Sequence, residues 1–156
     1  MTEKTFYEDT EYVLYPVAFI KTVFISSHNV YRYRIAQANQ SVSTMNMQKR
    51  VAQLEMIVLN ATDFYRCLPH NVSRTSANYI LRGIAAQINT VFSVYLTFTD
   101  SLRSHEAELR EFDRRIRKGS KAVYTEARKY RKIKILSLLN YRLYPTVERF
   151  YRHLNK

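Results

Sequence analysis

The chain has 156 residues, of which 46% are hydrophobic and 24% charged, with a formal net charge of +12. This composition argues against a disordered chain and predicts a single folded domain over residues 1–156. Only two glycines and three prolines are present. Because β-rich folds use many such residues in turns, we expect an all-α protein with long helices. The single cysteine, Cys67, excludes an internal disulfide bond.

Residues 1–29 form an N-terminal arm that is first acidic and then apolar. Four of the first eleven residues are acidic, where a signal peptide would be basic, so we expect an intracellular, cytoplasmic or virion protein that is not secreted. The apolar run 12–25 contains Pro16 and Lys21 and is shorter than the roughly 20 residues of a membrane span. No transmembrane span is therefore predicted, and we interpret residues 13–25 as a buried helix.

Apolar residues recur at alternating steps of four and three between residues 74 and 118, as on one continuous face of a helix. These positions are Ala77, Leu81, Ile84, Ile88, Val91, Tyr95, Phe98, Leu102, His105, Leu109, Phe112 and Ile116. Ser73 is a suitable N-cap and Gly119 a suitable stop. We therefore expect one helix of about 44 residues, roughly 65 Å long, with His105 as a partly buried core residue.

A second apolar face precedes the first and is separated from it by Pro69. Its positions are Met47, Val51, Leu54, Val58, Ala61, Tyr65 and Leu68. The two helices should form an elongated antiparallel hairpin within residues 30–118. A basic segment, 120–156, follows as a helix over 121–144 and a short helix after Pro145. A three- to four-helix bundle this thin buries limited surface, so we expect self-association or a paralogous subunit.

Most of the positive charge lies in residues 120–156, where ten Lys and Arg face two Glu, a net charge of +8. Because like charges repel within a fold, this excess indicates an acidic partner, and phosphate is the commonest such acid. Tyr124 and Tyr130 can stack on bases or donate a hydroxyl. We predict a nucleic-acid-binding surface with these ten cations: Arg114, Arg115, Arg117, Lys118, Lys121, Arg128, Lys129, Arg131, Lys132 and Lys134. Five of them (Arg114, Lys118, Lys121, Arg128 and Lys132) share one helical face if the helix continues past Gly119.

A weaker second group of cations lies earlier in the chain. Its members are Arg32, Arg34, Lys49, Arg50 and Arg74. Aromatic and basic residues alternate over 31–34, which suits stacking combined with phosphate contact. Arginines that extend from a helix edge into solvent explain the same pattern equally well.

No glycine-rich phosphate loop, nucleophile elbow or paired His and Cys spacing is present, so we predict neither an enzyme nor a metal site nor a cofactor. One alternative rests on Arg149 and His153, which lie one helical turn apart. Helical HEPN ribonucleases use an Arg and a His on one face, but with a longer gap and a polar residue after the Arg, where this chain has Phe150. We prefer the interpretation that this pair belongs to a nucleic-acid-binding face.

A small helical subunit that is rich in Tyr and Arg, lines nucleic acid and packs into an ordered array is similar to the coat proteins of filamentous archaeal viruses. The similarity is one of architecture and composition. It implies a non-enzymatic structural subunit that binds the nucleic-acid backbone within an ordered multi-subunit assembly such as a virion filament, with DNA favoured slightly over RNA. The helical small subunits of CRISPR effector complexes are similar for the same reasons, and a bundle that binds an acidic protein is a further alternative.

Overall fold

The structure, a computed structural model, describes residues 6–7, 9–29, 43–98 and 102–154. Regular structure in these ranges is helical, without strands, which confirms the all-α prediction. A 3₁₀ turn occupies Pro16–Ala18. The helices are α1 (Asp9–Leu14), α2 (Thr44–Lys49), α3 (Val51–Arg66), α4 (Arg74–Leu96), α5 (Leu102–Gly119), α6 (Lys121–Ala127), α7 (Arg131–Leu138) and α8 (Tyr144–Leu154).

Helices α3 and α4 form the predicted hairpin around the Pro69 turn. The Ser73 hydroxyl caps α4 by accepting a hydrogen bond from the backbone N–H of Ser76 at 3.0 Å, as its position in the sequence predicted. Leu54 and Val58 of α3 are fully buried and belong to the same core cluster as the buried face of α4. The part of the predicted hairpin over residues 30–42 lies outside the described residues, and the division of the chain into a single domain stays a prediction.

Helix α4 provides the centre of the core. It packs against α3, α6, the 3₁₀ turn and four further helices. Eight of its side chains are at most 3% exposed: Ile80, Ile84, Ala85, Ile88, Val91, Phe92, Tyr95 and Leu96. Phe92 and Leu96 lie outside the predicted apolar face, so α4 is buried on more sides than a hairpin partner alone would cover.

The predicted single helix over residues 74–118 was wrong, because α4 ends at Leu96 and α5 begins at Leu102. In one straight helix Phe92 and Phe112 would lie about 30 Å apart, at 1.5 Å per residue. Their ring centroids are instead 6.4 Å apart. Helix α5 therefore turns back and packs against α3 and α4, so that Leu109, Phe112 and Ile116 are buried by the chain itself.

The break follows from the side chains around Thr97. The Thr97 hydroxyl donates to the carbonyl oxygen of Val94 at 2.7 Å, and the Gln48 side chain donates to the carbonyl oxygen of Thr97 at 2.9 Å. These bonds satisfy carbonyl groups that a continuing helix would have used. After the turn, the His105 ring stacks on Phe98 with centroids 3.9 Å apart, which confirms His105 as a partly buried residue.

The predicted helix over residues 121–144 was also wrong, since two shorter helices, α6 and α7, occupy this region and α8 begins only at Tyr144. Asn140 and Tyr141 between α7 and α8 have positive φ angles of 46° and 62°, which a helix does not allow. Pro145 lies in the first turn of α8, where its missing N–H costs nothing, rather than ending a helix. The predicted short final helix after Pro145 is confirmed as part of α8.

The N-terminal arm contributes one side chain to the core and then leaves it. Leu14 of α1 lies so close to Gly83 of α4 that a Cβ on Gly83 would be 2.5 Å from a Leu14 methyl carbon. After Phe19 the chain has no regular structure up to Ser26, and Phe24 is 90% exposed. The prediction of a buried helix over residues 13–25 was therefore wrong, because Pro16 interrupts the helix after α1.

A double-mutant cycle tests the reversal of direction between α4 and α5. We expect Phe92→Leu and Phe112→Leu to be non-additive in the free energy of unfolding, with a coupling of about 0.5–1.5 kcal/mol, because the rings are in contact. Urea denaturation of the four proteins measures this coupling. Additive effects within about 0.3 kcal/mol would indicate separated rings and contradict the reversal.

Candidate nucleic-acid interface

Helices α5, α6 and α7 surround a surface cleft of about 550 Å³ that concentrates positive charge. Its lining residues are Arg117, Lys121, Tyr124, Thr125, Arg128, Ser137 and Leu138. Three of these seven are cationic, three carry hydroxyl groups and none is acidic. We call this feature the basic cleft.

The end of α5 and the start of α6 place these cations together. Helix α5 ends at Gly119, and the Ser120 hydroxyl starts α6 by accepting a hydrogen bond from the backbone N–H of Val123 at 3.4 Å. Val123 and Ala127 are fully buried and attach α6 to the core. The outward residues of α6 therefore stand next to Arg117, which lies in the last turn of α5.

Tyr124 organises the two arginines of the basic cleft. The guanidinium carbons of Arg117 and Arg128 lie 6.0 Å and 5.9 Å from the centroid of its ring, at the outer range of cation–π contact. The Tyr124 hydroxyl points inward and donates to Asp113 at 3.4 Å. The ring contacts two guanidinium groups and the hydroxyl is hydrogen-bonded to Asp113. We therefore interpret Tyr124 as a residue that positions these two arginines.

Asp113 is the acid beneath the basic cleft. It is 8% exposed, and burial raises the pKa of its carboxyl above the ordinary 3.8, an effect that the hydroxyls of Tyr141 and Tyr124 and the nearby Arg117 and Arg128 oppose. The same carboxyl, together with burial as the larger cause, raises the pKa of Tyr124. One buried carboxyl therefore stands against three cations, which leaves the cleft positive.

The three cations of the basic cleft have no ion pair with a described acid. Arg117, Lys121 and Arg128 are absent from every contact within 4.0 Å that joins a cation to a carboxylate in the described part of the chain. The Nε atom of Arg128 is buried and makes no hydrogen bond there. A buried guanidinium N–H without a partner is costly, so the hydrogen bonds of Arg128 are incomplete within the described part of the chain.

Three of the ten predicted cations are already engaged within the chain. Arg114 makes two hydrogen bonds to the Glu111 carboxylate, at 2.7 and 2.6 Å, and Lys129 pairs with Glu126 at 2.6 Å. Lys132 turns inward, donates to the hydroxyls of Ser93 and Tyr151, and has its pKa lowered by burial.

The remaining four predicted cations (Arg115, Lys118, Arg131 and Lys134) are exposed. The predicted face through Arg114, Lys118, Lys121, Arg128 and Lys132 is not formed, because it needed one helix through Gly119 and the chain starts a new helix at Lys121. The basic cleft replaces that face as the place where cations converge.

The second group of predicted cations is not brought together. Arg32 and Arg34 lie outside the described residues. Arg50 covers the ring of Phe6, with its guanidinium carbon 3.3 Å from the centroid. The exposed Lys49 precedes α3 and the exposed Arg74 opens α4, so the 16 residues of α3, about 24 Å of helix, separate them along the hairpin.

The two residues of the ribonuclease alternative, Arg149 and His153, are both exposed on α8. Their spacing of one turn makes them neighbours on any helix, so it does not by itself distinguish an active site from a basic surface. The ribonuclease alternative stays a prediction. Among the described residues, no group of three or more His, Cys, Asp and Glu side chains could hold a metal ion.

The sequence did not single out Thr125, Ser137 and Leu138, which line the cleft, or Asp113, which lies beneath it. In the sequence Asp113 is one of several acids among the cations of α5, and only its burial gives it a different role. Ser137 follows Lys121 by 16 residues and reaches the basic cleft through the turn between α6 and α7. No local pattern in the sequence indicates this proximity.

Comparisons of the chain with protein-family models, with curated proteins and with solved structures found no match. In the described ranges, none of the helices combines the length and the apolar character needed to cross a membrane. The case for a function therefore rests on the basic cleft itself.

The titration of Asp113 gives a test of its burial. Below pH 3.8 both the folded and the unfolded chain hold its proton. As the pH rises through the raised pKa of the folded state, the unfolded chain loses the proton first, so the free energy of unfolding falls. We expect the stability of Asp113→Asn relative to the wild type to increase between pH 3 and pH 7, as measured by urea denaturation.

Glu111 provides a control for which the expected pH dependence of stability is opposite. Hydrogen bonds from Arg114 lower the pKa of the Glu111 carboxyl below 4.5, so its stabilisation is present above that pH and is lost as the pH falls. Glu111→Gln should therefore lose stability relative to the wild type as the pH rises over the same range. The same trend for both variants would contradict this account of Asp113.

Proposed function

We propose that this protein is a non-enzymatic structural subunit that binds the phosphate backbone of a nucleic acid at the basic cleft and packs into an ordered multi-subunit assembly. The observation that carries the proposal is the convergence of Arg117, Lys121 and Arg128, none of which makes an ion pair within 4.0 Å in the described part of the chain. The fold does not need these charges, and their mutual repulsion disfavours it. A phosphate would relieve that repulsion and supply acceptors to the guanidinium N–H groups.

The chemistry of the cleft suits a phosphate diester. Two guanidinium groups can donate paired hydrogen bonds to phosphate oxygens, while the ammonium of Lys121 supplies a point charge. The hydroxyls of Thr125 and Ser137 at the rim are further donors to phosphate oxygens. None of these groups reads a base specifically when it contacts phosphate, so binding should depend little on sequence.

The exposed cations outside the cleft extend the positive surface. Arg115 and Lys118 belong to α5, and Arg131 and Lys134 belong to α7. Helices α5 and α7 both flank the basic cleft, so a strand that places one phosphate in the cleft has further cations on the neighbouring helices. Such a surface binds through several phosphates at once.

Removing the two arginines of the cleft tests the site. We expect Arg117→Gln combined with Arg128→Gln to weaken binding of a labelled 30-nucleotide DNA by at least about tenfold at 100 mM salt, because two charge-assisted contacts are lost. Fluorescence anisotropy with single-stranded DNA, duplex DNA and RNA measures the affinity and identifies the preferred nucleic acid.

The matched control is Arg66→Gln combined with Arg82→Gln, which removes the same charge at exposed positions of α3 and α4. It should change the affinity less than about threefold, because neither residue lines the basic cleft and salt screens charges that do not contact the nucleic acid. Equal losses in the two double variants would show that only net charge matters and would overturn the cleft as the site. Circular dichroism establishes that each variant is folded.

For Asp113→Asn we expect the DNA affinity to change in the opposite direction. Removing the negative charge beneath Arg117 and Arg128 should tighten binding of the same DNA by a few-fold, since these cations then face no acid. Asp63→Asn changes the net charge equally at an exposed position of α3 and should have a smaller effect. Weaker binding by folded Asp113→Asn would contradict a phosphate in the cleft.

A further inference from the structure

The segment 19–25, which we call the apolar strap, exposes far more apolar surface than the rest of the described chain. Phe24 is 90%, Ile25 is 89% and Val23 is 77% exposed, and Phe19 and Ile20 are exposed as well. Five of the seven strap residues are thus apolar and face solvent. Contiguous exposed apolar residues of this kind mark interaction sites.

The backbone of the strap from Lys21 to Ile25 makes no backbone hydrogen bond to another described residue, whereas Phe19 and Ile20 both donate to the carbonyl oxygen of Pro16. Residues 20–26 have no regular structure. Val, Ile, Phe and Thr, which make up most of the strap, favour β-strands. Such a segment can pair with another strand through its N–H and C=O groups.

A groove of about 1,090 Å³ runs beside the strap. The strap forms one wall, and the turn between α3 and α4 together with the start of α4 forms the other, including Pro69, Val72 and Tyr79. Of the described residues that line it, Lys21 alone is charged. The groove can therefore receive apolar side chains that arrive with a second strand.

We infer that the strap pairs with the strap of a second copy of this chain as an antiparallel strand, with apolar side chains of each copy covering the other's groove. The inference rests on the proposed function for its multi-subunit assembly. Among the described residues the strap carries the most exposed large apolar side chains. A second copy presents the same stretch, so two straps can pair through one isologous contact. Two-fold pairing about Val23 places Lys21 opposite Ile25 and Thr22 opposite Phe24, with no like charges directly opposed.

Charge favours this location for contact between copies. Each chain carries a net charge of +12, so copies repel one another unless they meet at a surface with little charge. Residues 12–27 contain Lys21 as their single charge. The strap is therefore a surface on which two such basic chains can associate.

The apolar area of the strap is also large enough for an interface between two copies. Each large aromatic residue contributes on the order of 150–250 Å² when it is buried. Two phenylalanines, two isoleucines and a valine, together with the groove walls, approach the roughly 800 Å² per partner of a standard protein interface.

The test is the oligomeric state of nuclease-treated protein, measured by sedimentation velocity between about 5 and 200 µM. We expect dimers or larger species in the wild type, and an association that is equal or stronger at 500 mM than at 50 mM salt, because salt screens the repulsion between copies. Phe24→Ser should weaken association at least tenfold by removing apolar contact. Val23→Pro should do so by removing an N–H donor from the strand.

The matched control is Phe150→Ser, which removes an exposed phenylalanine from α8 and should leave association unchanged. A wild type that stays monomeric at 200 µM, or equal dissociation constants for Phe24→Ser and Phe150→Ser, would overturn the inference. Binding of monomers to phosphatidylcholine vesicles that depends on Phe24 would overturn it as well, in favour of a lipid surface. DNA binding by Phe24→Ser distinguishes the two proposals. If this variant loses self-association but keeps the wild-type affinity for a short DNA, the strap serves association and the basic cleft binds DNA independently of it.

Discussion

Burial of helix α4 is the constraint on which the rest of the structure depends. Its side chains from Ile80 to Leu96 include eight that are at most 3% exposed, and no single neighbouring helix can cover so many. Helix α3 covers one side, α6 another, and α5 turns back to add Phe112 beside Phe92. The positions of the functional residues follow from this arrangement, because the cations of the basic cleft lie where α5, α6 and α7 face away from α4, whereas Lys132 faces α4 and donates to Ser93.

Polar groups within the core fix this packing. The Tyr95 hydroxyl donates to the Glu55 carboxylate at 2.6 Å, and the Tyr144 hydroxyl donates to the carbonyl oxygen of Tyr95 at 3.1 Å. Helices α3, α4 and α8 are thus connected through one tyrosine near the C-terminus of α4. The second bond satisfies a carbonyl group that the end of α4 leaves without a helical partner. Burial raises the pKa of both Glu55 and Tyr95. The hydrogen bond between them opposes this rise at Glu55 and adds to it at Tyr95.

The sequence predicted the parts of the fold that local patterns determine. The predicted apolar faces reach the core at Leu54 and Val58 of α3, Ile84 and Ile88 of α4, and Leu109 and Phe112 of α5. The Ser73 cap and the Pro69 turn are confirmed as well, because periodicity and capping act over a few residues. The break after Leu96 was not predicted, because the apolar face of the sequence continues at the same helical spacing through His105. The polar and β-branched residues from Thr97 to Ser101 were the available signal, but the hydrogen bond from Gln48 and the burial of Phe112 are tertiary effects. Similarly, Arg117, Lys121 and Arg128 were predicted, whereas the inward turn of Lys132 and the place of Asp113 beneath the cleft depend on helices distant in sequence.

The central claim is that the unpaired cations of the basic cleft are matched by the phosphates of a nucleic acid. The most direct measurement is the dependence of DNA affinity on salt for the wild type between 50 and 200 mM. If six or more phosphates are neutralised, the logarithm of the affinity should fall with the logarithm of the salt concentration with a slope of about −4 to −6, a loss on the order of a thousandfold. A slope near zero would contradict the account.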